Sequence, residues 1–155
     1  MTVRRRTAVP EIRCLFWLLM INAEDAEKQR SRLNQITSEI ISAAIRIHTD
    51  LGPGLLENAY QVFLHSELEL RGFEVNSQVY LPVEYRGRKV KLAYRMDMVV
   101  NDSVVVELKA IQVIDQLAKA QVLSYLRLSG MKVGLLINFH SCRLIDGVCR
   151  IVNRF

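Results

Sequence analysis

The stretch YRMDMVVNDSVVVELKA, Tyr94–Ala110, decides the fold. Two runs of β-branched and apolar residues flank the polar turn Asn101, Asp102, Ser103, a pattern that specifies two antiparallel strands joined by a short loop. If this loop closes a hairpin, Val100 faces Val104, and counting outward by equal steps sets Asp97 opposite Glu107. Side chains alternate along a strand, so Glu107 and Lys109 share a face. Val104, Val105, Val106 and Leu108 are all apolar, which makes this a central strand and buries part of the charge of Asp97, Glu107 and Lys109. Charges in such a place need compensation, because burying them unpaired is costly.

The rest of the chain supplies a core around this hairpin. Ile36, Ile40, Ala43, Ala44 and Ile47 recur at helical spacing between Leu33 and His48 and give a first helix with one apolar face. LGPGL, around Pro53, breaks it. A second helix follows from Leu55 to Arg71, with Leu56, Tyr60, Phe63, Leu64 and Leu68 inward and Gly72 at its end. FEVNSQVYLPVEY and the turn RGRK precede the decisive stretch as further meander. A third helix runs from Asp115 to Ser129, with Leu117, Ala120, Leu123, Ser124 and Leu128 expected inward and Gly130 as cap. KVGLLINF reads as a strand buried on both faces, and CRLIDGVCRIVNRF as a short edge hairpin around Asp146 and Gly147. The expectation is one α/β domain, residues 33–155, with a mixed sheet flanked by helices.

Composition bounds the function. A chain of 155 residues, half of them apolar, fits one domain with a real core. Its longest apolar run, Cys14 to Ile21, has eight residues, against the roughly 20 that a membrane-spanning helix needs, so no membrane role is expected. Cys14, Cys142 and Cys149 form no CxxC pair and leave an odd thiol, which points to a reducing, cytoplasmic setting. Of the formal charge of +5, Arg4, Arg5, Arg6 and Arg13 against Glu11 account for +3 within residues 1–19, and only +2 remains for the rest. Residues 1–32 read as a disordered extension or an upstream-start artefact, with Met20 as the alternative start. The local cluster Arg86, Arg88, Lys89, Lys91 and Arg95, with no acid among it, is the better sign of a polyanion partner; a solvated hairpin explains it equally well.

The residue types at Asp97, Glu107 and Lys109 suit a divalent cation, Mg²⁺ or Mn²⁺, since these ions take oxygen ligands and keep positions open for water and phosphate. A nearby ammonium can orient a nucleophile and offset developing negative charge in phosphodiester hydrolysis. ELK alone is weak, because a salt-bridged pair on a strand would explain it. GLLENAY, Gly54–Tyr60, is an instance of GxxExxY, and together with AIRIHTDLGPGLLENAY, YRMDMVV, VVVELKA, AQVLSYLRLSG and KVGLLINF, in this order, the chain resembles the GxxExxY family of the PD-(D/E)XK nuclease superfamily over residues 33–153. That resemblance implies a restriction-endonuclease-like core, with Asp97 as the motif aspartate, Glu107 and Lys109 as the ExK pair, and Glu57 as a helix-borne acid contributing to the metal. A helix-capping role is the plainer alternative for Glu57, and a core role for Tyr60.

Gln121 and Tyr125 form a QxxxY pair that looks like the motif following the ExK strand in RecB-type nucleases, where the amide can hold the lysine or a phosphate oxygen and the hydroxyl can touch the nucleic-acid backbone. Glu57, Asp97, Glu107, Lys109 and Gln121 are therefore the expected catalytic set, with Asp97, Glu107 and Glu57 toward the metal. Tyr125, Arg88, Lys89 and Arg95 are the expected contacts to nucleic acid, DNA first. His48, His65 and His140 lack metal-ligand spacing, and no phosphate-binding glycine loop is present, so neither zinc nor a nucleotide cofactor is expected. Specificity in so small a domain would come from nucleic-acid structure, a homodimer or a protein partner. The rival is a binding or scaffold module that keeps the fold without turnover.

Overall fold

The computed structural model describes residues 10–154. Helix α1 spans Pro10–Leu51, α2 Glu57–Leu70 and α3 Gln116–Ser129; the strands are β1 Val75–Tyr85, β2 Arg88–Val100, β3 Val104–Lys109, β4 Val133–Asn138 and β5 Val148–Val152. Helix α1 reaches back to Pro10, into the stretch 1–32 read as a disordered extension or an upstream-start artefact, and its residues 22–32 are all exposed. By internal contacts the chain divides into one unit up to Arg32 and another from Leu33. The second unit carries everything described below.

Its sheet has the order β1-β2-β3-β4-β5, antiparallel throughout except for the parallel pair β3–β4 that the α3 crossover makes possible. Central placement explains the apolar runs: every residue of β4 is buried, and so is β3 from Val104 to Leu108. One face carries Ile36, Ile40, Ala43, Ala44 and Ile47 of α1 with Tyr60, Leu64 and Leu68 of α2. The other carries α3. This is the mixed α/β architecture of restriction-endonuclease-like folds.

Two inward faces and one connection differ from expectation. In α2, Leu56 is the N-cap residue rather than part of the buried stripe, and Leu56 and Phe63 are exposed. In α3 the expected stripe is turned away: Leu117 and Leu128 are exposed, while Ala118, Val122, Tyr125 and Leu126 are buried. Apolar residues lie on both sides of α3, so periodicity could not choose between them, and the sheet takes the side that carries the large Tyr125 ring. At the end of the chain, the expected hairpin is a 3-10 turn, Leu144–Gly147, leading into β5, which pairs with β4 instead.

Helix α3 rests directly on β4 at Gly134. A Cβ there would meet Val122 Cγ1 at 2.6 Å, which a stiff β-branched side chain cannot yield cheaply. Gly134→Ala should therefore lower stability by about 1–3 kcal/mol as an overpacked core does. In urea unfolding, Val122→Ala added to Gly134→Ala should recover part of that loss; strictly additive losses would contradict the contact.

Candidate active site

The hairpin forms in the expected register, with Val100 opposite Val104 and Met98 opposite Val106. Asn101 and Asp102 take left-handed φ values of 49° and 47°, a conformation these two residue types tolerate better than most. The ladder then ends one step before Asp97 and Glu107. Asp97 Oδ2 instead accepts a hydrogen bond of 3.0 Å from the Leu108 amide. The two carboxylates are thus register neighbours without being a ladder pair.

The cause lies on the other side of β2. Gln78 and Asp97 are missing from the β1–β2 pairing between Ser77–Met98 and Val79–Met96, and Gln78 has a φ of 56°. On one side of this point, Val75, Met98 and Val100 pack toward α1 and α2. Beyond it, Leu81 and Met96, with Val79 against them, pack with Tyr125 and Leu126 of α3. Met96 and Met98 would share a face in a regular strand. The β1–β2 ribbon therefore turns over at Gln78 and Asp97, which lets the aspartate reach across to β3. A pair of amides holds the break: Gln78 Nε2 donates to Gln61 Oε1 at 2.9 Å, and Gln61 Nε2 donates to the Asp97 carbonyl at 2.9 Å.

Glu107 is 3% exposed, and Lys109 Nζ donates to its Oε1 at 2.7 Å. Its second oxygen, Oε2, is buried with no partner among the described residues. Burial pushes the Glu107 carboxyl up; Lys109 opposes this, while the charges of Asp97 and Glu57 add to it. Burial likewise raises Glu57, with Lys109 and a hydrogen bond from the Ala110 backbone working against it and Asp97 with it. For Lys109, burial favours the neutral amine, but the Glu107 hydrogen bond and the charges of Glu107, Glu57 and Asp97 outweigh it and raise its pKa. Four groups from α2, β2 and β3 thus feel one another, as expected for Glu57, Asp97, Glu107 and Lys109.

Two residues fix the frame. Tyr60 is fully buried and stacks on Phe139 with ring centroids 4.1 Å apart; its hydroxyl donates to the Gly52 carbonyl at 2.6 Å and accepts from the Leu55 amide at 3.2 Å. It holds the Gly-Pro-Gly turn that delivers Glu57 to the start of α2. Asn138, at the end of β4, accepts from the Ile111 amide at 3.1 Å and donates to the Ile111 carbonyl at 2.7 Å, tying down the chain just after Lys109. Sequence reasoning missed Asn138, Gln61 and Gln78. A lone polar residue closing an apolar strand signals Asn138 faintly, and Gln61 stands one helical turn after Glu57; nothing marks Gln78.

Gln121 and Tyr125 lie beside this set. Gln121 Nε2 donates to the Tyr125 hydroxyl at 2.6 Å, and that hydroxyl donates to the Arg95 carbonyl at 3.2 Å. Tyr125 is 1% exposed, and burial followed by the Glu107 charge raises its pKa. The pair braces α3 against β2, a different placement from the expected open contact with a nucleic-acid backbone. Arg88 and Lys89 are exposed on the β1–β2 arm, opposite Tyr85 and Glu84, and are not gathered with the carboxylates. Arg95 lines a cleft between α2 and the ribbon.

The model of the PD-(D/E)XK nuclease superfamily matches residues 34–151. The chain belongs to the PD-(D/E)XK nuclease superfamily. No curated protein matches it significantly. A solved structure described as "Crystal structure of SSO0001" is similar at 21% identity with a TM-score of 0.43, over 72% of this chain and 62% of that one. Among the described residues no helix is long and apolar enough to cross a membrane.

PD-(D/E)XK nucleases typically use divalent metals, and the residues present bear on whether such an ion would fit here. Three carboxylates stand against one ammonium, and Glu107 Oε2 is buried with no hydrogen-bond partner among the described residues, so a cation would find an oxygen donor there. Among the described residues no three His, Cys, Asp or Glu side chains form a ready cage. Mg²⁺ does not demand one, because it is commonly held by one or two carboxylates and retains several waters. Asp97 and Glu107 fit that description.

The raised Glu107 carboxyl has a measurable consequence. In metal-free protein the folded state keeps this proton over a pH range where the unfolded chain has lost it, so this group's contribution to stability falls as pH rises from the ordinary carboxylate range. Glu107→Gln cannot titrate. Urea unfolding in chelator from about pH 4 to 8 should show wild type losing stability relative to Glu107→Gln as pH rises; a constant difference would contradict the assignment.

Proposed function

We propose that this chain is a metal-dependent nuclease of the GxxExxY type that hydrolyses phosphodiester bonds of nucleic acid, DNA in the first instance. The observation that carries the proposal is the buried Glu107 Oε2, without a partner among the described residues, beside Asp97 and Lys109 on a strand whose remaining buried residues are apolar. Lys109 takes one oxygen of this carboxylate and leaves the other available to a cation.

Asp97 and Glu107 would hold Mg²⁺ or Mn²⁺, with Glu57 reaching the same region from α2. The ion, when bound, supplies positive charge for the phosphoryl oxygens and acidity to water. The chain's own residues do the rest. The Leu108 amide fixes the Asp97 carboxylate toward β3, and Asn138 fixes the segment after Lys109. Lys109 stays protonated at neutral pH, so it acts as a cation and hydrogen-bond donor that orients the attacking water and offsets charge developing on the phosphate. Gln121 and Tyr125 keep α3 in place against β2.

The second reading, a module that binds nucleic acid without cutting it, rests on two observations: Lys109 already occupies Glu107 Oε1, and no three-carboxylate cage is formed among the described residues. Cleavage decides between the two. Wild-type protein with Mg²⁺ or Mn²⁺ should cut at least one of single- or double-stranded DNA or RNA, and Lys109→Ala should lose roughly 10²-fold or more in rate, as when one positioned stabilising donor is removed, while its circular-dichroism spectrum shows the fold kept. Cleavage that persists in pure Lys109→Ala protein would overturn the role of Lys109; no cleavage of any of the four substrates would favour the binding module.

A further inference from the structure

The turnover of the ribbon at Gln78 and Asp97 also reverses which face Arg95 occupies. Tyr94 meets Tyr125 edge-on on the α3 side, at 5.8 Å between ring centroids, while Arg95 points into the cleft on the α2 side. This cleft, of about 580 Å³, is lined by Asn58, Gln61, His65, Ser77, Gln78 and Arg95 among others, and by no carboxylate. It adjoins the reaction centre at two points: Asn58 follows Glu57, and Gln61 donates to the Asp97 carbonyl.

We propose that this cleft seats one unpaired nucleotide of the substrate strand, next to the phosphate on which Asp97, Glu107 and Lys109 act, and that it thereby selects single-stranded nucleic acid over duplex. The proposal deepens the nuclease reading and depends on it only for the neighbouring chemistry.

Size and chemistry both suit a nucleotide. The volume lies in the range of small-molecule sites. His65 Nδ1 and Ser77 Oγ are 2.7 Å apart, and Gln61 is committed to Gln78 and Asp97, so these residues form a fixed polar floor. The side chains of Asn58 and Arg95 have no partner among the described residues. Asn58 offers both a donor and an acceptor, as a base edge requires, and Arg95 offers a cation for phosphate. Tyr80 does not line the cleft, but it is the cross-strand partner of Arg95, which does, and is 53% exposed, so its ring is free to stack on a base that Arg95 holds. A base inside a duplex is already paired and stacked, so it cannot enter without leaving the helix. The exposed cations Arg86, Arg88, Lys89 and Lys91 continue along the same ribbon and would follow the strand's backbone beyond the cleft.

The test separates binding from cleavage. Lys109→Ala protein is titrated, by fluorescence anisotropy at fixed low salt with Ca²⁺, into twelve-nucleotide single-stranded DNA, the same sequence as RNA, and a blunt duplex. Binding to DNA or RNA single strands about tenfold tighter than to duplex is expected, the better of the two naming the substrate. That preference should disappear in Tyr80→Ala and in Arg95→Ala, both exposed positions whose folding thermal melts will verify. Equal affinity for single strand and duplex, or a preference untouched by both substitutions, would overturn the proposal. Single-strand binding without cleavage by wild type would remove the nuclease reading and leave the cleft; cleavage with duplex preferred would do the reverse.

Discussion

Glu107 sets the terms for the whole site. It is a carboxylate of 3% exposure on the central strand, with one oxygen bound by Lys109 and the other by nothing among the described residues. Such a group is costly to bury, and the fold tolerates it because apolar packing of β3 and β4 against helices on both faces stabilises the sheet around it. Everything polar nearby can be understood from that constraint. Lys109 compensates one oxygen, Asp97 and Glu57 add negative charge that pushes the Glu107 carboxyl up, and Asn138 and Tyr60 secure the two chain segments that bring Lys109 and Glu57 there.

The break in the β1–β2 ribbon is the geometric counterpart of this electrostatic one. A regular ribbon would run the ladder on past Asp97. By turning over at Gln78, the ribbon frees Asp97 to accept from the Leu108 amide and moves Arg95 to the opposite face, above the cleft beside α2. The Gln61–Gln78 pair joins the two consequences, since it touches the Asp97 carbonyl on one side and forms part of the cleft on the other. The placement of Asp97 and that of the cleft are thus products of a single local irregularity in otherwise regular strand pairing.

Much of this was legible in the sequence. The turn Asn101–Ser103 set the register of β2 and β3 correctly, the apolar run of β4 declared a strand buried on both faces, and helical spacing marked the buried face of α1 from Leu33 onward. Charges among apolar neighbours on a central strand singled out Glu107 and Lys109, although a salt-bridged pair would explain them by itself. The inward face of α3 was not legible, since both its sides carry apolar residues and only the sheet's shape chooses between them. Nor was the facing of Arg95: alternation assumes an unbroken strand, and a left-handed glutamine leaves no mark in sequence. Tyr125, read as a contact to nucleic acid, proved to be buried against β2, which composition alone cannot distinguish from an exposed aromatic.

The most direct test of the account is a calorimetric titration of Mg²⁺ and Mn²⁺ into metal-free wild type and into the Asp97→Ala, Glu107→Ala double variant at neutral pH. The account predicts binding to the wild type and loss of that binding in the variant while its fold is kept. Wild-type protein that binds neither ion, or a double variant that binds them as well as wild type does, would contradict it.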